Sequence, residues 1–278
     1  MPARGAADVP AAARAALEQL GPLGRAGLLR RDGHGRGAGL HEPGGAGARA
    51  DPGARAPGGP GAGRAGAGVV SPVTPAALEA ALAAHDWRVL PALPGRTNHR
   101  PAGVLVPVTW DPRPRAVLTL RAADLRRHGG EVSFPGGRPD EGDADLWATA
   151  TREAEEELAL RGARRIGRLS SFPLYTSDFR LEPFVAEVPV QDYVPEPGEV
   201  AAVLMADLGG LLAQEAHDAI PYTIEGVTRL SPVFELEGHV CFGATAHALH
   251  ELLEVFAQAA GAELPPFAVG RFQWGDLL

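Results

Sequence analysis

From about residue 71 onward, two spacings of apolar residues alternate along the chain. Residues 74–85 repeat with helical period, with Thr74 placed to cap and Pro75 at the first helical position, where no N–H is needed. Residues 103–109 and 116–121 are short apolar runs that read as strands, joined by the turn Asp111-Pro112-Arg113-Pro114. A helix is predicted over about 144–158, because Leu146, Trp147, Ala150, Ala154 and Leu158 fall on one stripe. Asp143 or Asp145 is available to cap its start. Strands are expected at 164–172, 183–190 and 200–205, a short helix at 207–215, and strands at 222–224 and 233–236. A long helix over 244–260 follows, with Leu249, Leu252, Leu253 and Phe256 as its core stripe. No internal repeat interrupts this order. It predicts the α/β class: a mixed sheet between helices, an α/β/α sandwich.

Residues 1–70 have another character. Gly, Ala, Pro and Arg dominate, with almost no aromatic or β-branched side chains. Such a segment buries too little apolar surface to offset its ordering entropy. A disordered tail over 1–70 and a single domain over 71–278 are therefore expected. The Gly and Pro density argues against an amphipathic presequence, and the bias also fits a misassigned start in a GC-rich gene. The formal net charge of −8 does not point to nucleic acid. Cys241 is the single cysteine, which excludes an intramolecular disulfide and predicts a buried reduced thiol. No apolar run is long enough for a membrane span. A soluble cytoplasmic protein is expected.

The candidate chemistry lies in Arg152-Glu153-Ala154-Glu155-Glu156-Glu157-Leu158. On a helix, Glu153, Glu156 and Glu157 stand at i, i+3 and i+4 and share one face. A solvated acidic surface is the ordinary explanation of such a run. Here the opposite stripe is apolar, and the helix follows the Gly136-Gly137 turn, where backbone can approach a ligand closely. Three neighbouring carboxylates repel one another unless a cation sits between them. Mg²⁺ takes oxygen ligands of this kind and is often completed by a substrate phosphate. The segment reads as a metal-dependent phosphate site.

These residues resemble the Nudix box, in which Gly, five residues, Glu and seven residues precede Arg-Glu-apolar-x-Glu-Glu-x-Gly-apolar. The chain departs from that pattern in three places. Gly137 to Arg152 is one residue longer, Asp143 and Ala144 lie where the first Glu is expected, and Ala159 replaces the final Gly. The upstream elements Leu118-Thr119-Leu120-Arg121, Leu125-Arg126-Arg127-His128 and Val132-Ser133-Phe134-Pro135-Gly136-Gly137 resemble the coenzyme A pyrophosphatase branch of the Nudix hydrolases. The similarity runs from about residue 101 to the Cys241-Phe242-Gly243-Ala244-Thr245-Ala246 segment and leaves out the first seventy or so residues.

The resemblance implies a Nudix-type α/β/α sandwich. It implies a hydrolase that cleaves coenzyme A or acyl-CoA to 3′,5′-ADP and 4′-phosphopantetheine, acylated or not. Mg²⁺ or Mn²⁺ would be bound by Glu153, Glu156, Glu157 and the Gly136 carbonyl. Arg152 would orient the glutamates, with Asp143 or Asp145 replacing its missing partner. Glu199, just before the 200–205 strand, is the candidate ligand or general base, and Glu196 a weaker one. Arg121, Arg126 and His128, with Gly136 and Gly137, would meet the substrate, and Phe179 either lines the site or packs in the core. The alternatives are a Nudix hydrolase of ADP-ribose or NADH, and a catalytically silent Nudix ligand sensor. Nudix domains often pair, so a homodimer is compatible with the chain, although no interface is legible in it. Deleting residues 1–70 is expected to leave folding and metal-dependent turnover intact. A truncated protein that aggregates in size-exclusion chromatography, or loses turnover, would make the tail part of the domain.

Overall fold

The apolar run at residues 102–108 forms the middle of β1 (Arg100–Thr109). Alternate side chains of a strand point to opposite faces, and both faces of β1 are buried. Val104, Val106 and Val108 join one apolar cluster and Leu105 joins the other. The strand was therefore legible as a continuous apolar run rather than as an alternating one. β2 (Arg115–Arg121) behaves alike, with Ala116 and Leu118 on the first face and Val117 on the second. The computed structural model of the protein describes residues 73–277, apart from 94, 175, 225 and 226. The tail expected over 1–70 lies outside the described residues.

β1 and β2 pair antiparallel only at Val108↔Ala116 and Thr109↔Arg115, next to the turn that joins them. Beyond that point a wedge separates them. β3 (Val132–Ser133) pairs with β2, while β4 (Gly136–Gly137) pairs with β1 through Gly103↔Gly137 and Val104↔Gly136. Thr119 fastens the wedge, its hydroxyl donating to the Ser133 carbonyl at 3.1 Å. The Leu105 amide donates to the Pro135 carbonyl at 2.9 Å. Thus the Val-Ser-Phe-Pro-Gly-Gly stretch fills a fork in the sheet.

The first helix is α1 (Pro75–Ala84), whose N-cap Thr74 accepts from the Ala77 amide at 3.2 Å. α2 (Leu146–Leu158) is capped by Asp145, which accepts from the Ala148 amide at 2.8 Å. The expected strand over 164–172 is two strands, β5 (Arg164–Arg168) and β6 (Phe172–Pro173). Both pair with β7 (Phe179–Glu187), which starts earlier than the pattern predicts and runs parallel to β1. β8 (Val200–Asp207) pairs with the far edge of β2, and α3 (Leu208–Leu212) follows with Asp207 as its cap. A second sheet holds β9 (His217–Ile224), β10 (Val227–Leu236) and β11 (His239–Cys241). After α4 (Gly243–Ala260), the short β12 (Phe267–Val269) pairs parallel with β9, and α5 (Trp274–Leu277) closes the described chain. Apolar periodicity carried no sign of β11, β12 or α5, which are three or four residues long.

The layers follow from the two clusters. α2 buries Ala150, Ala154 and Leu158 with Leu105 and Val117 on one face of the main sheet. α1 and α4 bury Leu78, Leu82, Leu249, Leu252, Leu253 and Phe256 on the other. This is the expected α/β/α sandwich around a mixed sheet. α4 is tied down by a buried acid: Glu251 accepts from the Ser170 amide (3.0 Å) and hydroxyl (2.7 Å), and lies 2.7 Å from the His85 ring. That contact holds the His85 pKa above its ordinary value. Cys241 is a buried free thiol, as expected.

α2 ends at Ala159, which adopts the left-handed conformation with φ 52° and whose amide reaches the Glu155 carbonyl at 2.8 Å. A β-carbon is unfavourable there by about 1–2 kcal/mol. Ala159→Gly is therefore expected to stabilise the fold by about 1 kcal/mol in urea unfolding. The corresponding rise in melting temperature is ~2–4 °C for a domain of this size. An unchanged or lower midpoint would show that the strain is relieved elsewhere.

Candidate active site

The acidic face of α2 looks across the fork. Gly103 lets the helix start directly on β1, since a β-carbon at that position would overlap the Leu146 carbonyl. Gly137 clears the space under the carboxylates, because a β-carbon there would occupy the position of the Glu153 carboxylate. At Gly136 an added β-carbon would meet the Gly103 carbonyl. The Gly-Gly turn thus admits the close approach of β1 and of the Glu153 carboxylate.

Arg152 is the hub of the face. Its Nε donates to Asp143 Oδ1 at 3.1 Å and its Nη2 to Asp143 Oδ2 at 3.2 Å, a two-point pair. Nη2 also donates to Glu153 (3.0 Å) and to the Arg138 carbonyl (3.0 Å), and Nη1 donates to Glu156 (2.8 Å). Asp143 accepts further bonds from the Asp140 amide and the Thr149 hydroxyl, both at 2.9 Å. Arg152, then the amide, holds its carboxyl down at about 2. Between the two candidates for the missing partner, the structure places Asp143 on Arg152 and Asp145 on the helix cap.

The three glutamates differ in setting. Glu156 is exposed and held by Arg152. Glu153 is mostly buried, and burial pushes its pKa up against the opposing pull of Arg152. Glu157 is only 3 % exposed, and its Oε2 has no hydrogen-bond partner. Burial first, and then the charges of Glu153 and Glu199, push it up to about 8; Arg121 and the Gly136 amide oppose the shift. Among the described residues no finished cluster of three or more His, Cys, Asp or Glu ligands is gathered. Two of the carboxylates instead face Arg152. Even so, the donors fit a hard cation: oxygen ligands only, with an orphaned buried carboxylate oxygen among them. Glu155 points away and pairs with Arg161 at 2.8 Å.

The segment before β8 packs on the end of α2. The Val194 amide donates to the Leu158 carbonyl and the Glu196 amide to the Glu157 carbonyl, both at 2.9 Å. This brings Glu199 to the rim of the same cleft, where its side chain is exposed. The cleft has a volume of about 970 Å³ and is lined by Glu153, Glu157, Glu199, Arg121, Gly136 and Gly137 among others. Arg121 is partly buried, with its Nε shielded from solvent and unpaired. Arg126 is exposed and does not line the cleft. His128 stands outside it as well: its Nδ1 lies 3.0 Å from Glu131 and its Nε2 3.0 Å from the Thr176 hydroxyl. Phe179 does line the cleft, under the Arg100 guanidinium at 4.5 Å.

Sequence reasoning missed two cations of the cleft, Arg100 and Arg138. Arg138 directly follows the Gly-Gly turn and was findable on that ground. Arg100 precedes the apolar run of β1, and only the parallel register that sets it opposite Phe179 reveals it. Among the described residues no helix is long and apolar enough to cross a membrane.

The family model for the NUDIX domain matches residues 99–222, which contain the fork, α2 and the Glu199 loop. The protein "Uncharacterized Nudix hydrolase NudL" of Photorhabdus laumondii is 33% identical over 171 residues, covering 59% of this chain and 90% of its own length. A protein of the same description from Yersinia pestis is 34% identical over 162 residues, 57% of this chain and 80% of its own. The crystal structure of a MutT/nudix family protein from Enterococcus faecalis overlaps 58% of this chain and 62% of its own with a TM-score of 0.40 and 12% identity. With a matching domain over α2 and relatives matched over most of their length, the chain belongs to the Nudix family and is a pyrophosphohydrolase of that type.

Proposed function

We propose that the protein hydrolyses the pyrophosphate bond of coenzyme A or an acyl-CoA, releasing 3′,5′-ADP and 4′-phosphopantetheine, acylated or not. The observation that carries this reading is Arg121. It ends the Leu-Thr-Leu-Arg element, lines the cleft, and acts on Glu157 through its charge with its Nε unpaired. Arg100 and Arg138 add two further cations to the same cleft. CoA brings a 3′-phosphate besides its diphosphate, so it needs more guanidinium groups than ADP-ribose does.

Nudix hydrolases generally use divalent metal ions. In this chain Glu153, Glu156, Glu157 and the Gly136 carbonyl would hold Mg²⁺ or Mn²⁺. When bound, such an ion polarises a phosphoryl oxygen and lowers the pKa of water. The chain's own residues do the positioning. Asp143 fixes Arg152, and Arg152 fixes Glu153 and Glu156. Arg121, Arg100 and Arg138 draw the phosphates into the cleft and offset their charge. Glu199, exposed at the rim, is the group placed to take a proton from the attacking water. Water adds to one phosphorus, and the bridging oxygen leaves with the other phosphate.

The direct test is chromatography of products from CoA with and without Mg²⁺ or Mn²⁺, with ADP-ribose and NADH in parallel. Metal-dependent 3′,5′-ADP from CoA, formed faster than the products of the other two, is expected. Cleavage of ADP-ribose or NADH alone would keep the Nudix chemistry and discard the CoA substrate. No turnover of any would favour a sensor. Glu157→Gln should lower turnover by at least on the order of 10²-fold. The same variant should be more stable than the parent at pH 8 in chelator. A carboxyl whose folded pKa is raised is a burden above its unfolded value of 4.5, fully felt as pH climbs to about 8 and absent well below 4.5. A melting temperature that falls at pH 8 would contradict this. Asp143→Ala should lower kcat about 10–100-fold, as expected when a ligand-orienting partner is lost. Asp145→Ala should instead cost about 1 kcal/mol of stability and leave kcat within a few-fold. The reverse pattern would exchange their roles.

A further inference from the structure

A second cavity, of about 250 Å³, adjoins the carboxylate cleft. Arg121, Val104, Gly136, Leu174 and Leu181 line both and form the common border. Its other walls come from the wedge before β4, from Pro173 and Pro183, and from the first turns of α4. The interior is apolar, built from Val132, Phe134, Leu181, Pro183, Ala244 and Ala248. Three of the polar groups around it are engaged with one another, since His128 bridges Glu131 and Thr176 at 3.0 Å on either side. α4 starts at Gly243 without a side-chain cap, which leaves backbone N–H donors in the turn that lines the cavity.

The two spaces differ in what they suit. The cleft holds carboxylates and guanidinium groups and suits phosphates. The side cavity has one unengaged cation, Arg121 on the border, and the free N–H groups of the first turn of α4; the rest of its lining is mostly apolar. An uncharged, branched chain with an occasional carbonyl matches it. Size narrows the choice. At ~30 Å³ for each water-sized group, 250 Å³ has room for about eight such groups. That is less than the whole arm that CoA carries on its diphosphate. It matches the segment next to the phosphate, with its gem-dimethyl carbon, hydroxyl and first amide.

Resting on the substrate reading above, we propose that this side cavity holds the branched first segment of the uncharged CoA arm and leaves the thiol or acyl end outside it. The enzyme then selects for the arm and is indifferent to the acyl group.

Two measurements test this. Bulk is added at the partly exposed lining positions with Thr245→Phe and, separately, Ala244→Leu. For each variant the ratio of kcat/KM for CoA to that for ADP-ribose is expected to fall at least tenfold. In the parent, CoA, acetyl-CoA and hexanoyl-CoA should have kcat/KM values within about threefold of one another. Independently of turnover, the methyl resonances of Ala244 and Ala248 are followed by NMR in the full chain on addition of 4′-phosphopantetheine or of 3′,5′-ADP. Shifts with the first and not the second are expected. If the parent cleaves CoA but the methyls stay still and neither variant changes the ratio, the cavity assignment falls and the substrate reading stands. Strong discrimination among the acyl-CoAs overturns the claim that the acyl end lies outside. If CoA is not cleaved but the methyls shift with 4′-phosphopantetheine, the substrate reading fails and the cavity still takes the arm. No cleavage and no shift overturns both.

Discussion

The site depends on the near-contact of a helix with a strand. α2 can bring its acidic face over the sheet because Gly103 puts no side chain under its first turn, and the Glu153 carboxylate can lie where it does because Gly137 has none. With a β-carbon at Gly103 the helix would have to lift off the strand, and Glu153 and Glu157 would move with it, whereas at Gly137 the Glu153 carboxylate alone would be displaced. The fork between β1 and β2 serves the same end. It admits a short wedge whose Gly136 lies against β1 and whose neighbour Gly137 lies under a carboxylate.

On that frame the electrostatics divide into a settled half and an unsettled half. Arg152 and Asp143 form a paired unit, with the arginine donating to three acidic side chains and one carbonyl. Glu157 is the opposite case. It is buried, one of its oxygens is unsatisfied, and two other carboxylates raise its pKa. An unpaired buried polar group is costly, and a fold selected only for stability would not keep it. On the function proposed above, its presence agrees with the trade-off between stability and activity at catalytic sites.

Much of this was legible in the chain. The stripes of α2 and α4 fixed which faces they bury, and Leu249, Leu252, Leu253 and Phe256 are all in the core. Spacing placed three glutamates on one face of the helix; two of them, Glu153 and Glu157, line the cleft, while Glu156 is held outward by Arg152. What was not legible depends on pairing between distant segments. The sequence could not choose between Asp143 and Asp145, since both are acids ahead of the same helix; the choice is made by which one reaches Arg152. Arg126 and His128 sit in an element with a distinctive pattern. Yet Arg126 faces solvent, and His128 lies at the side cavity instead of the carboxylate cleft, engaged by Glu131 and by Thr176, a partner forty-eight positions away. The start of β7 was missed although Phe179-Arg180-Leu181-Glu182 alternates apolar and polar positions, and the parallel pairing with Arg100 and Pro101 carries the strand that far.

The two bonds from the Val194 and Glu196 amides to the last carbonyls of α2 bind more than a helix end. They make the loop of Glu199 and the helix of Glu157 a single mechanical part. Thermal motion that shifts one shifts the other, so the spacing between the acid at the rim and the buried carboxylate survives excursions of the sheet beneath them. Variation in length is then better tolerated ahead of Val194 than between Val194 and Glu199. The first only alters the approach to the joint, while the second would change the distance across the site.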